Sequence, residues 1–385
     1  MHAAFRPDLP MSAVAGIAER AAAAAWPDVL PLAGGEPRFD PPAEALAALR
    51  DGDVWQLTKY SPFKGYPDLL TGIQRKLAEA NGLEVGLDEL ITVPGGAAAL
   101  FTVLGTLVHG ERRKVLLTDP CWEHYPNIVT AVGGRSEVVP TVPEGPHNRI
   151  DLDALSRAVD GTTAAVLLNS PLNPTGSMLS AEEIAAVGEI CARHGARLVV
   201  DEEYETFVYG DRRHVTARAV RPDAISLFSF SKSYALTGIR LGYITAEPEL
   251  VEAFKRFGLY SYMYAASPSQ LMAASLLRAD LAGYTERVRA EYEAKARRFS
   301  AALDALPGVS CDMPEAGVYV FPRIALPDGS SAADELIDHQ HLLCVPGDVA
   351  GATGRGYVRF FLGVDDAVID EAVARVAAWT KGERR

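Results

Sequence analysis

Lys232 stands among three small hydroxyl residues, Ser229, Ser231 and Ser233, directly after the apolar run Ala224 to Phe228. Arg240 follows eight positions later, inside Gly238-Ile239-Arg240-Leu241-Gly242. The apolar run reads as a buried strand. A lysine crowded at a strand's end is poorly placed for a solvated surface charge. Such an amine loses its proton more readily than a free one and can form a Schiff base with an aldehyde. Arg240 offers a planar fork suited to a phosphate, and the serine hydroxyls offer further donors. Taken alone, the same stretch is also compatible with a strand-to-loop turn carrying incidental charges.

An aldehyde that bears a phosphate is pyridoxal 5′-phosphate (PLP), and other strand ends carry what that molecule needs. Its ring nitrogen must stay protonated for the ring to withdraw electrons, which calls for a buried carboxylate. Asp201 ends the apolar run Leu198 to Val200 and fits that need, although a turn or helix-cap aspartate reads the same way. Gly95, Gly96 and Ala97 open a helix, whose backbone N–H groups can hold a phosphate. Asn173, in Asn173-Pro174-Thr175-Gly176, forms a turn after the strand Ala164 to Leu168. Arg359 sits inside the apolar strand Tyr357 to Phe361. Burying it unpaired is costly, so it needs either a structural acid or a carboxylate ligand that it clamps in two places.

The stretch Ser229 to Gly242 resembles the cofactor-lysine signature of the class I/II aminotransferases, the fold-type I PLP enzymes. The chain order of glycine loop, aromatic, asparagine, aspartate–tyrosine, lysine and two arginines, from Gly35 to Arg359, is similar to that of the aspartate aminotransferase fold. The resemblance implies a seven-stranded, mostly parallel α/β sheet sandwiched by helices, with a smaller α+β domain. It implies that Lys232 holds the cofactor as a Schiff base and, once freed, is the base that moves the proton. Tyr204 and Asn173 would donate to the ring's 3′-oxygen, Trp122 would stack on the ring, and Asp201 would pair with its nitrogen. Gly35 resembles the loop that closes over the substrate carboxylate held by Arg359. Tyr60 is similar to the tyrosine that reaches the neighbouring phosphate across a homodimer with shared active sites. The implied reaction moves the amino group of an L-amino acid to a 2-oxo acid. A PLP-dependent lyase, cyclase or oxidase uses the same lysine and aspartate, and a PLP-binding regulatory protein is a further reading. The segment Leu259 to Ser267 offers tyrosines and a methionine and no cation. That favours neutral or aromatic amino acids, unless Lys64 or another residue supplies the charge for a distal carboxylate.

The elements that must place these residues alternate. Apolar runs at Ile91–Val93, Val115–Leu117, Ala164–Leu168 and Leu198–Val200 lie between helical stretches, a pattern of parallel strands covered on both faces. In such sheets ligands collect at the carboxyl ends of the strands. Ser180 and Glu183 form a capping box ahead of a helix that stops at Gly195. A long charged helix begins near Gly283 with Tyr284, Val288, Tyr292, Phe299 and Leu303 on one stripe. The expected division is a large PLP-binding domain over 46–285 and a small domain from 1–45 with 286–385. The chain has 385 residues, 48% hydrophobic and 23% charged, with a formal charge of −13. That charge argues against nucleic acid and anionic membrane surfaces, and no apolar run reaches bilayer length. The N-terminus lacks the layout of a signal peptide. Cys121, Cys191, Cys311 and Cys344 lie far apart, suggesting reduced thiols in a cytoplasm and no metal site. His339 and His341 read as surface residues.

Overall fold

The apolar runs form one eight-stranded sheet. In order across it lie Leu90–Val93, Gly242–Thr245, Ile225–Ser229, Arg197–Asp201, Thr163–Asn169, Lys114–Asp119, Arg135–Glu144 and His147–Ile150. The strands from Ile225–Ser229 through Arg135–Glu144 pair in parallel. Gly242–Thr245 runs antiparallel to both neighbours. Seven strands make up the expected sheet, and His147–Ile150 adds an eighth as the antiparallel arm of a hairpin. The computed structural model describes residues 9–144, 147–324, 326 and 329–383. The first eight residues, on which part of the N-terminal reading rests, lie outside them.

Every residue of Leu90–Val93, Lys114–Asp119, Thr163–Asn169, Ile225–Ser229 and Gly242–Thr245 is buried. This is why those runs show no alternation of polar and apolar residues: both faces of the sheet are covered. One face packs on Gly96–Leu107 and Pro248–Leu259 through Leu100, Val103 and Phe254. Elsewhere Ile184 and Val187 of helix Ala181–His194 pack on Leu116, Val166 and Val200. That helix starts at the expected Ser180–Glu183 capping box and ends at Gly195 with φ +65°. A left-handed φ carries no steric penalty for glycine.

A separate apolar cluster joins both ends of the chain. Ile17 and Ala21 of helix Ala13–Ala24 meet Tyr292 and Phe299 of helix Ala282–Asp304, Leu336 of Ala332–Gln340 and Trp379 of Asp366–Thr380. Val358–Phe361 is the central strand of a three-stranded antiparallel sheet, between Tyr319–Val320 and Val345–Pro346. Leu30–Pro31 pairs in parallel with Leu342–Leu343, and Phe361 donates its N–H to the Leu32 carbonyl at 2.8 Å. Asp119, at the end of a large-sheet strand, accepts from the Ala352 and Thr353 N–H groups, each at 3.1 Å, and from the Thr353 hydroxyl at 2.6 Å. These bonds fix the position of Val358–Phe361 relative to the strand ends of the large sheet.

Several strands escaped the sequence reading, among them two of the large sheet. Arg135–Glu144 carries two prolines and three charged residues, and Gly242–Thr245 is four residues long and opens on glycine. His341 is not a surface residue. It is half-buried, stacks on Trp26 with ring centroids 4.7 Å apart, and lies 2.6 Å from Asp28. All four cysteines are buried and unpaired, and burial pushes the thiols of Cys121, Cys191 and Cys311 up to about 12. Among the described residues no helix is long and apolar enough to cross a membrane.

Candidate active site

The polar residues that end the parallel strands converge on one cleft of about 340 Å³. Gly96 and Ala97 come from beyond Leu90–Val93, Trp122 from beyond Lys114–Asp119, and Asn173 from beyond Thr163–Asn169. Asp201 and Tyr204 follow Arg197–Asp201, and Ser231, Lys232 and Arg240 follow Ile225–Ser229. The opposite wall holds Gly35, Tyr319 and Arg359. Parallel strands thus deliver chemistry from five loops to one rim, as the sheet's geometry requires.

Lys232 Nζ donates to the Gly35 carbonyl at 2.7 Å. A Cβ on Gly35 would lie 2.8 Å from the Tyr319 hydroxyl, so a side chain there would have to displace that tyrosine, and 3.7 Å from Lys232 Nζ, an ordinary contact. Asp201 is buried. Its Oδ2 accepts from the Tyr125 hydroxyl at 2.9 Å and its Oδ1 from the Glu203 N–H at 3.2 Å. Burial, and after it the charge of Glu203, raises the carboxyl to about 7. A group in that condition is short of a cation. Tyr204 is also buried, 3.5 Å from the Tyr319 hydroxyl, and burial raises its phenol well above the ordinary value.

Asn173 is held by its own turn: its N–H donates to Asn169 Oδ1, and Asn169 Nδ2 donates to the Asp201 carbonyl, both at 2.8 Å. Its Oδ1 accepts from Arg359 Nη1 at 3.1 Å. Arg359 Nη2 donates to the Ala33 carbonyl at 3.2 Å, and the guanidinium lies 4.4 Å over the Tyr319 ring. Only 7% of Arg359 is exposed, its Nε has no partner, and among the described residues no carboxylate pairs with it. The alternative of a structural acid partner is therefore not what the fold provides.

Arg240 donates to the Thr237 carbonyl at 2.7 Å and to Ser231 Oγ at 3.4 Å. Gly95 has φ +90°, and a Cβ on it would stand 2.5 Å from Arg240 Nη2. Glycine here satisfies both the backbone angle and the close approach. Gly95 thus abuts the cleft without lining it. Ser229 is buried with its Oγ accepting the Ser231 N–H at 3.1 Å, so it shapes the loop and does not line the cleft. Tyr60 is not in the cleft of its own chain: it is 79% exposed and stacks on Tyr264 with centroids 5.0 Å apart. Lys64 lies by Glu252 and outside the cleft.

Several cleft residues were not anticipated. Tyr125, one helical turn after Trp122, had a spacing signal; it is buried and does not line the cleft but supports Asp201 from outside it. His124 stacks on Trp122 with centroids 4.5 Å apart, and burial pulls its proton affinity down although Glu123 opposes this. Ser12 reaches the rim because its hydroxyl donates to Glu123 Oε1 at 2.8 Å. Glu203 and Tyr319 also line the cleft.

These residues fit PLP as a class of ligand. A helix start with Ser231 and Arg240 suits its phosphate, and a buried carboxyl that lacks a cation suits its ring nitrogen.

The family described as Aminotransferase class I and II matches residues 27–376, and the chain belongs to it. It is an enzyme of amino-group transfer with the fold-type I architecture. It is 32% identical to an aspartate aminotransferase of Geobacillus stearothermophilus over 96% of both chains. An aromatic-amino-acid aminotransferase of Thermococcus litoralis is 29% identical over 90% of both chains. The solved aspartate aminotransferase of Rhizobium meliloti superposes with a TM-score of 0.88 at 27% identity, covering 98% of this chain and 99% of that one.

Proposed function

We propose that the chain transfers the amino group of a neutral or aromatic L-amino acid to a 2-oxo acid, with PLP held through Lys232. The carrying observation is Arg359: a buried guanidinium held only by neutral groups, beside the lysine, is a receptor for one carboxylate. When bound, PLP supplies an electron-withdrawing ring that makes the α-proton of an amino acid removable. Lys232 Nζ is the base that takes that proton and returns it. Asp201 keeps the ring nitrogen protonated, and the cation it gains there lowers its carboxyl again. Tyr204 and Asn173 hold the ring oxygen, and Trp122 covers the ring face. Gly96 and Ala97 N–H groups, with Ser231 and Arg240, take the phosphate. Gly35 closes over the carboxylate clamped by Arg359.

The cleft's cations among the described residues are then all assigned. Lys232 and Arg240 serve the cofactor, Arg359 takes the α-carboxylate, and His124 is kept neutral by burial. None is left for a distal carboxylate, which supports neutral or aromatic substrates although relatives are named for aspartate.

The domain reading, 46–285 against 1–45 with 286–385, is supported by the cluster that joins both chain ends. A homodimer is supported by the exposed apolar face of Val54, Trp55, Tyr60, Phe63, Tyr260 and Met263. Tyr60 would then serve the partner's phosphate. The four unpaired thiols support a cytoplasmic setting.

The test is the visible absorption of the cofactor-loaded protein, titrated with amino acids in the absence of oxo acid. Phenylalanine, tyrosine or leucine is expected to bleach the cofactor band, and an added 2-oxo acid to restore it. Aspartate acting as the best donor would overturn the side-chain assignment. A band that no amino acid perturbs would overturn the whole reading.

A further inference from the structure

Glu203 lines the cleft beside Asp201 and is accounted for by none of the roles above. Its backbone N–H is committed to Asp201 Oδ1, and its side chain turns toward the start of helix Gly96–Leu107. A Cβ placed on Gly96 would lie 3.9 Å from Glu203 Oε1 and 4.0 Å from Ser229 Cβ. Among the described residues the carboxylate forms no hydrogen bond and no ion pair. A carboxylate therefore stands against the helix N-terminus that is suited to a phosphate dianion, and two anions there repel.

We propose that Glu203 faces the bound cofactor directly and weakens its hold, acting as an internal anion that competes with the phosphate for the N-terminus of helix Gly96–Leu107. This rests on the reading of the cleft as a PLP site. The cations that share the cleft with it are Lys232, Arg240 and Arg359, and the acidic groups there are Asp201 and Tyr204. On cofactor binding the carboxylate would have to turn from the phosphate or remain beside it as a second negative charge. Either way part of the binding free energy is lost, and the enzyme depends on the surrounding concentration of free cofactor.

The test uses the full chain stripped of cofactor and measures PLP affinity by quenching of intrinsic fluorescence, for wild type, Glu203→Gln, Glu203→Asp and Glu203→Ala. Removing the charge in Glu203→Gln and Glu203→Ala is expected to lower the dissociation constant about tenfold. Glu203→Asp, which keeps the charge, stays within roughly threefold of wild type. Inorganic phosphate as competitor shows the same order of affinities, and salt narrows the gap. Thermal melting confirms that each variant is folded, and either neutral variant suffices if the other is not. Equal or weaker binding by the folded neutral variants overturns the role of Glu203 alone. Absence of saturable PLP binding in every protein overturns the cofactor reading with it.

Discussion

Replacing Asp201 by asparagine should make the cofactor-free protein more stable above neutral pH, while removing the carboxyl proposed to pair with the ring nitrogen. The buried carboxyl titrates at about 7, against an ordinary value of 3.8. Below both values it is neutral whether folded or unfolded and affects stability in neither direction. Between them the unfolded chain releases a proton that the folded chain retains, so stability falls as pH rises. Above about 7 the loss is complete. The difference of about three units corresponds to about 4 kcal/mol, of which about 2–3 kcal/mol falls between pH 5 and pH 8. Asparagine does not titrate and forfeits one of the two bonds from Tyr125 and Glu203, costing about 1 kcal/mol at every pH. Urea unfolding of both cofactor-free proteins at several pH values checks this, because titrations of groups that do not interact with Asp201 cancel in the difference. The wild type should lose about 2–3 kcal/mol relative to the variant from pH 5 to pH 8. Adding PLP should flatten that slope in the wild type, since the ring nitrogen brings the missing cation. Parallel profiles without cofactor would refute the claim that Asp201 is held in want of a positive charge.

Two further substitutions separate the parts of the cleft. Arg359→Lys keeps the charge and loses the two-pronged fork, so kcat/KM for the amino acid should fall about 10- to 100-fold in steady-state assays, with PLP affinity unchanged. Gly95→Ala forces a side chain onto φ +90° and against Arg240 Nη2. It should cost about 1–3 kcal/mol in denaturant unfolding and weaken PLP binding, while the kcat of the fully loaded enzyme changes little.

Residues that break an apolar pattern were the ones legible in the sequence. Lys232, Asp201 and Asn173 each follow a continuous apolar run, and Arg359 interrupts one, so each stands where solvent cannot explain it. Glu203 gave no such signal, because an acid beside Asp201 and Glu202 reads as part of a solvated turn. Ser12 and Tyr319 enter the cleft through packing between distant segments: Ser12 meets a residue 111 positions away. No local pattern encodes that meeting. Ser229 fits the pattern and still turns inward, because its hydroxyl is taken by the Ser231 N–H. The parallel strands were legible for the same reason as the site, since burial on both faces leaves apolar runs. Gly242–Thr245 opens on glycine and ends on threonine, which leaves only Tyr243 and Ile244 as an apolar pair, and its antiparallel pairing shows only in the structure.

The cluster in which Ile17 packs with Trp379 also governs the order in which the molecule can be made. A ribosome delivers the first helix early and must finish almost the entire chain before its partners exist. The large sheet closes meanwhile, since its last strand ends at Thr245. A nascent chain therefore has its lysine loop and the start of helix Gly96–Leu107 in place while Arg359 is still unmade. The apolar stripe of helix Ala13–Ala24 stays uncovered through that interval, exposed to chaperones and to aggregation, until the strands Leu342–Leu343 and Val345–Pro346 arrive.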